Sequence, residues 1–135
     1  MCLIKKTIDP THEQPKKLTG FKRIIWASFY SYKGLISALC HETAFRQEFI
    51  ALVLLTPLVF WIDFIAFERF ILIVSMVAVM VVELINSAIE STLDRVSTEL
   101  HPLAGRAKDY GSLAVMLTLF ISIAAWTLFL WPKIG

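Results

Sequence analysis

The sequence predicts an all-α integral membrane protein: a bundle of three transmembrane helices preceded by an amphipathic helix on the membrane surface. Composition is the first of three observations behind that expectation. Hydrophobic residues make up 57% of the 135 and charged residues 18%, with a mean hydropathy of +0.69. Soluble domains run nearer 45–50% apolar and about a quarter charged. The second observation is that apolar residues collect into three runs, each about as long as the roughly 20-residue helix that crosses a hydrocarbon core. The third is that lysine and arginine gather on one side of those runs. Three core helices of a soluble bundle would need polar faces, which these runs lack.

Residues 1–19 carry two prolines, scattered charge and no periodicity, and read as a poorly ordered tail. The membrane domain spans 20–135. From Gly20 the pattern changes: Phe21, Ile24, Ile25, Tyr32, Leu35, Ile36 and Leu39 recur at helical spacing, with Lys22, Arg23 and Lys33 mostly outside that stripe. This predicts a surface helix over about 20–41 lying in the membrane interface; a soluble amphipathic helix packed on a partner is the other reading. Gly20 and Gly34 mark its ends or a kink. The spans follow at about 49–67, with Pro57 and Asp63 inside, 70–89, with Glu83 and Asn86, and 113–131, which has no charge. Only Glu68 and Arg69 separate the first two, so a tight hairpin is expected, with Asp63 as a solvated cap at the far membrane face. Trp61, Trp126 and Trp131 lie near span ends, as interfacial aromatics do.

Orientation follows from the basic residues. Lys5, Lys6, Lys16, Lys17, Lys22, Arg23, Lys33 and Arg46 precede the first span, and Arg95, Arg106 and Lys108 follow the second. The hairpin holds only Arg69 and the tail Lys133. The positive-inside rule places the N-terminus and the 94–111 segment in the cytoplasm, and the hairpin and C-terminus outside. No secretory signal is expected, because the first apolar stretch lies far into the chain and has no small-residue cleavage site.

Several function classes drop out. A net charge of +2 is too small to suggest nucleic-acid binding. Two cysteines, Cys2 and Cys40, offer neither a disulfide framework nor a Cys-based metal cage. None of the five glycines opens a P-loop.

What remains is a polar face that a membrane span should not have. Glu83, Glu90 and Asp94 fall within about 40° of one another on a helix, flanked by Asn86 and Ser87. Glu83 lies roughly 7 Å of helix inside the cytoplasmic end. An ionised carboxylate there costs several kcal/mol unless it faces protein, water or a cation, so Glu83 is expected to face the bundle interior. Interhelical hydrogen bonding could explain Asn86 and Ser87. Three carboxylates on one line repel one another unless cations or protons intervene. Magnesium favours one or two carboxylates plus substrate phosphates, and a desolvated carboxylate beside other acids suits a general base. Arg106 and Lys108, just downstream, can pair with phosphate oxygens. Lipid hydroxyl plus nucleotide at a membrane edge fits these parts, and so does a cation carrier.

The stretch Glu83-Leu-Ile-Asn-Ser-Ala-Ile-Glu-Ser-Thr-Leu-Asp94 closely resembles the signature of the small prokaryotic diacylglycerol kinases, E-x-[LIVM]-N-[ST]-[SA]-[LIV]-E-x-x-[LIVM]-D. Every specified position matches. The resemblance extends to Gly20–Lys33 (GFKRIIWASFYSYK), Glu42–Glu48 (ETAFRQE) and Ala107-Lys108-Asp109, and covers about residues 20–135. It implies a three-span inner-membrane enzyme, a homotrimer, that phosphorylates diacylglycerol from ATP with Mg²⁺. By position, Glu83 matches the general base and adjoins the lipid, and Glu42 and Glu90 match ligands of magnesium and of ATP. Asn86 lies between the base and the metal site. Tyr30, Glu99, Leu100, His101, Lys108 and Asp109 match positions that contact ATP, and Asp94, which closes the signature, is assigned with them. Arg23, Ser31, Ser112 and Trp126 match positions lining the lipid pocket. Arg46 and Glu48 stay outside the site as interfacial charges.

A Gram-positive branch of the same family phosphorylates undecaprenol, and His101–Ala104 resembles a form common there. ETAFRQE and the charge-free third span resemble the diacylglycerol branch more. From other classes, the acidic stripe suits a small oligomeric cation or proton transporter, or a structural subunit docking a partner through its polar face.

Overall fold

The structure, a computed structural model, describes residues 20–96 and 101–134. Among the described residues there are helices α1 (Phe21–His41), α2 (Thr43–Trp61), α3 (Ala66–Val96) and α4 (Pro102–Ile134), and no strand. The last three are long and apolar enough to cross a membrane. The expectation of an all-helical protein with three spans is met. Residues 1–19, where the tail is expected, lie outside the described residues.

The chain divides into two units at His41. In the first, Gly20 has φ 71°, a left-handed conformation that glycine adopts without steric cost. The chain enters α1 there, with Arg23 N–H donating to the Gly20 carbonyl at 3.1 Å. Gly34 lies inside the helix, which runs through it unbroken. Ile24, Ile25, Trp26 and Phe29 are exposed apolar residues of α1. Trp26 meets Phe29 edge to face at 6.0 Å, and the Lys33 ammonium lies 4.7 Å from the Phe29 ring centroid, within cation–π range.

In the second unit α3 packs against both α2 and α4. Helix α2 turns Phe45, Glu48, Leu52, Leu55 and Val59 inward at helical spacing. Pro57 interrupts its hydrogen-bond ladder, which neighbouring helices tolerate within a membrane. Helix α2 closes at Trp61, earlier than hydropathy suggests, and α3 opens at Ala66, so Glu68 and Arg69 belong to α3. The turn itself is apolar, which hides it in the sequence. Ile62 is extended, with its N–H on the Leu58 carbonyl at 2.9 Å. Phe64 is buried against Val59 and Leu72. Glu68 accepts the Ile65 N–H at 2.9 Å, half of a capping box, with its charge suited to the positive helix end. Exposed Asp63 offers its backbone carbonyl to Lys133 Nζ at 2.7 Å, tying the end of α4 to the hairpin.

Lipid is as apolar as leucine, so close helix contact in a membrane relies on small residues and hydrogen bonds. Helix α4 follows that rule. Its inward stripe runs Ala104, Ala107, Gly111, Val115, Thr118, Ser122, Ala125, and Ser122 Oγ meets Ser75 Oγ of α3 at 3.2 Å.

Candidate active site

The polar centre of the bundle is on α3. Its buried positions are Leu72, Val79, Glu83 and Asn86, a helical stripe that turns from apolar to polar toward the C-terminal half. Glu83 is 7% exposed and Asn86 8%. The sequence expectation that Glu83 faces the interior is therefore met. Burial then falls along the stripe: Glu90 is half-buried and Asp94 exposed. Glu42 occupies the N-cap of α2 and is half-buried. Both Glu90 and Glu42 stand close enough to Glu83 for like-charge repulsion. Two helices thus converge three carboxylates on one region.

Asn86 Nδ2 donates to Glu90 Oε1 at 3.1 Å, one helical turn along α3, and so orients that carboxylate. The other end of the amide, Oδ1, is buried with no hydrogen-bond partner among the described residues. It lies against Gly111 of α4.

Toward the α3–α4 connection, Lys108 Nζ pairs with Asp94 Oδ1 at 2.5 Å. Asp109 and Ser112 are exposed. His101 Nδ1 accepts the Leu103 N–H at 3.2 Å, so this histidine caps α4, with Pro102 in the first helical position that suits proline. Glu99 and Leu100 lie outside the described residues. Trp126 packs on the Val59–Phe64–Leu72 cluster, and its Nε1 is buried without a hydrogen-bond partner among the described residues. It lines a cavity of about 210 Å³ with Glu48, Met76, Val79 and Ser122.

Arg23, Tyr30 and Ser31 belong to the first unit. Arg23 and Ser31 share one face of α1 with Ile24, Ala27 and Ser28. The Tyr30 ring lies 6.2 Å from Trp26 and 6.3 Å from Phe29.

Sequence reasoning passed over two polar groups. Glu48, expected to be an interfacial charge, has a buried Oε2 without a hydrogen-bond partner among the described residues and repels Glu83. Its spacing of three from buried Phe45 was the available signal. Ser122 lies in a span whose sequence shows only its lack of charge, yet it is 6% exposed and hydrogen-bonded.

The donors suit a hard cation held jointly with a substrate. Among the described residues no three His, Cys, Asp or Glu side chains form a dedicated metal cage. Magnesium needs none, since one or two carboxylates with phosphates and waters satisfy it. Glu42 and Glu90 fit that role, and Glu90 already has its second partner in Asn86.

Three helices apolar enough to cross a membrane, around a polar centre at Glu83 and Asn86, define a multi-pass membrane protein with a polar site in its bundle. The family described as prokaryotic diacylglycerol kinase matches residues 29–130. The chain is 47% identical over 117 residues to the diacylglycerol kinase of Escherichia coli (strain K12), covering 87% of this chain and 96% of that one. It is 44% identical over 110 residues to the diacylglycerol kinase of Haemophilus influenzae, covering 82% and 93%. Against the diacylglycerol kinase of Pseudomonas aeruginosa it is 44% identical over 111 residues, covering 82% and 90%. The chain belongs to the prokaryotic diacylglycerol kinase family, and is a kinase and a multi-pass bacterial membrane protein of lipid metabolism.

Proposed function

We propose that the chain transfers the γ-phosphoryl group of ATP to the free hydroxyl of membrane diacylglycerol, giving phosphatidic acid and ADP. The observation that carries the reading is Glu83: a carboxylate 7% exposed inside a span, repelled by Glu90 and Glu42. A carboxylate held out of water at the membrane edge is placed to act as a general base. Glu83 accepts the hydroxyl proton as the lipid oxygen attacks phosphorus and the bond to the β-phosphate oxygen breaks. Its depth suits a substrate whose hydroxyl sits at the membrane edge while its acyl chains stay in lipid.

Glu42 and Glu90 would hold Mg²⁺, with Asn86 fixing the Glu90 carboxylate. When bound, the ion neutralises phosphate charge, which is much of the catalysis in phosphoryl transfer. Tyr30, Asp94, Glu99, Leu100, His101, Lys108 and Asp109 contact ATP. Lys108 supplies positive charge to phosphate oxygens, and Asp94 holds its ammonium ready. His101 serves a second purpose, since its cap fixes where α4 begins. Arg23, Ser31, Ser112 and Trp126 line the lipid pocket, and the unpartnered Trp126 Nε1 is a donor suited to a lipid oxygen. The active form is a homotrimer in the bacterial inner membrane, with α1 on the cytoplasmic surface, the N-terminus cytoplasmic and the C-terminus outside.

Labelled-phosphate transfer from ATP to diacylglycerol, undecaprenol and ceramide in mixed micelles tests the reading. Magnesium-dependent labelling of diacylglycerol above the other two is the expected result. Preferential labelling of undecaprenol would move the chain to that branch. Cation flux through vesicles without any phosphate transfer would replace the kinase reading with a transporter.

A further inference from the structure

Gly111 is the one described glycine whose missing side chain decides a contact. It is buried on the inward stripe of α4. A Cβ there would collide with Asn86 Oδ1 and lie 3.2 Å from Asn86 Cγ and 3.7 Å from Asn86 Cβ. At Gly20, Gly34 and Gly105 an added Cβ meets nothing within 4 Å. The Asn86 amide therefore fills the space a side chain at residue 111 would take.

That space has a chemical consequence. The amide is short and planar, so its two ends move together. With Oδ1 seated against Gly111, Nδ2 faces Glu90 and donates to Oε1 at 3.1 Å. Oδ1 gains no hydrogen bond there, so polar bonding at that end does not set the amide's position. The close approach of α4 at Gly111 limits it at that end, and the bond to Glu90 holds it at the other. A Cβ at 111 would be relieved most easily by turning the amide, which breaks the bond to Glu90. The fold has an inexpensive escape; the Glu90 carboxylate does not.

We propose that Gly111 is a positioning residue: it holds the Asn86 amide on Glu90 by leaving that amide the volume of a side chain. Its catalytic consequence rests on Glu90 being a metal ligand as read above, where groups orienting a ligand commonly account for about 10–100-fold in metal affinity or activity.

Asn86 is the only asparagine in the chain, which makes a direct test available. Full-length protein labelled with ¹⁵N-asparagine in detergent micelles gives a single side-chain NH₂ signal, one pair of correlations on one nitrogen. Gly111→Ala is expected to move that signal, as is Glu90→Gln, while the melting midpoint changes little because the amide yields and alanine favours helix. Gly111→Ala should also weaken Mn²⁺ binding, followed by electron paramagnetic resonance with a non-hydrolysable ATP analogue, by about tenfold. In an Asn86→Ala background, where no amide stands in the way, the same substitution should add less than about twofold. An unmoved amide signal in Gly111→Ala overturns the proposal. So does an equal loss of Mn²⁺ affinity with and without the Asn86 amide, which would place the effect in helix packing. If Glu90→Gln shifts the amide signal but leaves Mn²⁺ affinity untouched, the metal role of Glu90 fails while the positioning by Gly111 stands.

Discussion

Lys108 of α4 meets Asp94 of α3 at 2.5 Å, across the open end of the bundle where both side chains are substantially exposed. An exposed ion pair contributes little to stability, so its value lies in where it holds the ammonium. The pair is the last step of a gradient along α3, from buried Glu83 through half-buried Glu90 to exposed Asp94. Such a gradient suits a reaction with one greasy and one highly charged substrate.

Asp94→Asn should therefore raise KM for ATP several-fold, with the melting midpoint nearly unmoved and KM for lipid unchanged. Steady-state kinetics with each substrate varied in turn check it. A change confined to lipid KM would detach Asp94 from nucleotide binding.

Glu83→Gln keeps the shape and one acceptor oxygen but cannot take a proton. Turnover is expected to fall at least ~10²-fold, the low end for a lost general base, while nucleotide affinity stays close to normal. Near-full turnover in that variant removes Glu83 from the role.

Glu42→Ala and Glu90→Ala should each shift the magnesium titration upward and weaken ATP use together. If one ion is shared between them, as proposed, the double variant should lose much less than the product of the single losses. Strictly multiplicative losses with an unshifted titration would separate the two residues.

At the opposite end of the bundle, Lys133 donates to the Asp63 carbonyl at 2.7 Å and stands 3.9 Å from Glu68 Oε2. Replacing it by Met should lower stability by about 1 kcal/mol, the ordinary net value of a hydrogen bond, with kinetic constants preserved. Thermal unfolding in detergent measures the first and the lipid-labelling assay the second.

The fold was legible because hydropathy and helical period leave few options for runs as apolar as Phe70–Ile89. Glu83 stood out for the same reason, since a carboxylate in such a run must face protein or water. The hairpin was placed late because Ile62, Phe64 and Ile65 are apolar in a turn, and hydropathy cannot separate a buried turn from a continuing helix. Glu48 and Gly111 were missed for a different reason. Their importance depends on what lies across the interface, a Glu83 carboxylate in one case and an Asn86 amide in the other, and neither partner is near in sequence. His101 shows the mixed case: the family resemblance implies an ATP contact, and the structure gives it a cap on α4.

The proposed homotrimer makes a prediction of its own. The positions proposed to contact ATP belong to α1, the start of α2, the polar half of α3 and the beginning of α4. One three-helix bundle has little room to gather all of these around a nucleotide and still admit lipid from the side, whereas neighbouring protomers can share the task. If Glu83 and Lys108 of one site come from different chains, mixing inactive Glu83→Gln protomers with inactive Lys108→Ala protomers should restore a measurable fraction of activity. Some interfaces in the mixed trimers would then carry both intact groups. Mixing should restore nothing if the two residues act within one chain. Crosslinking in native membranes supplies the independent measure, with trimers expected; an active enzyme that crosslinks only as a monomer defeats the composite site whatever the mixing result.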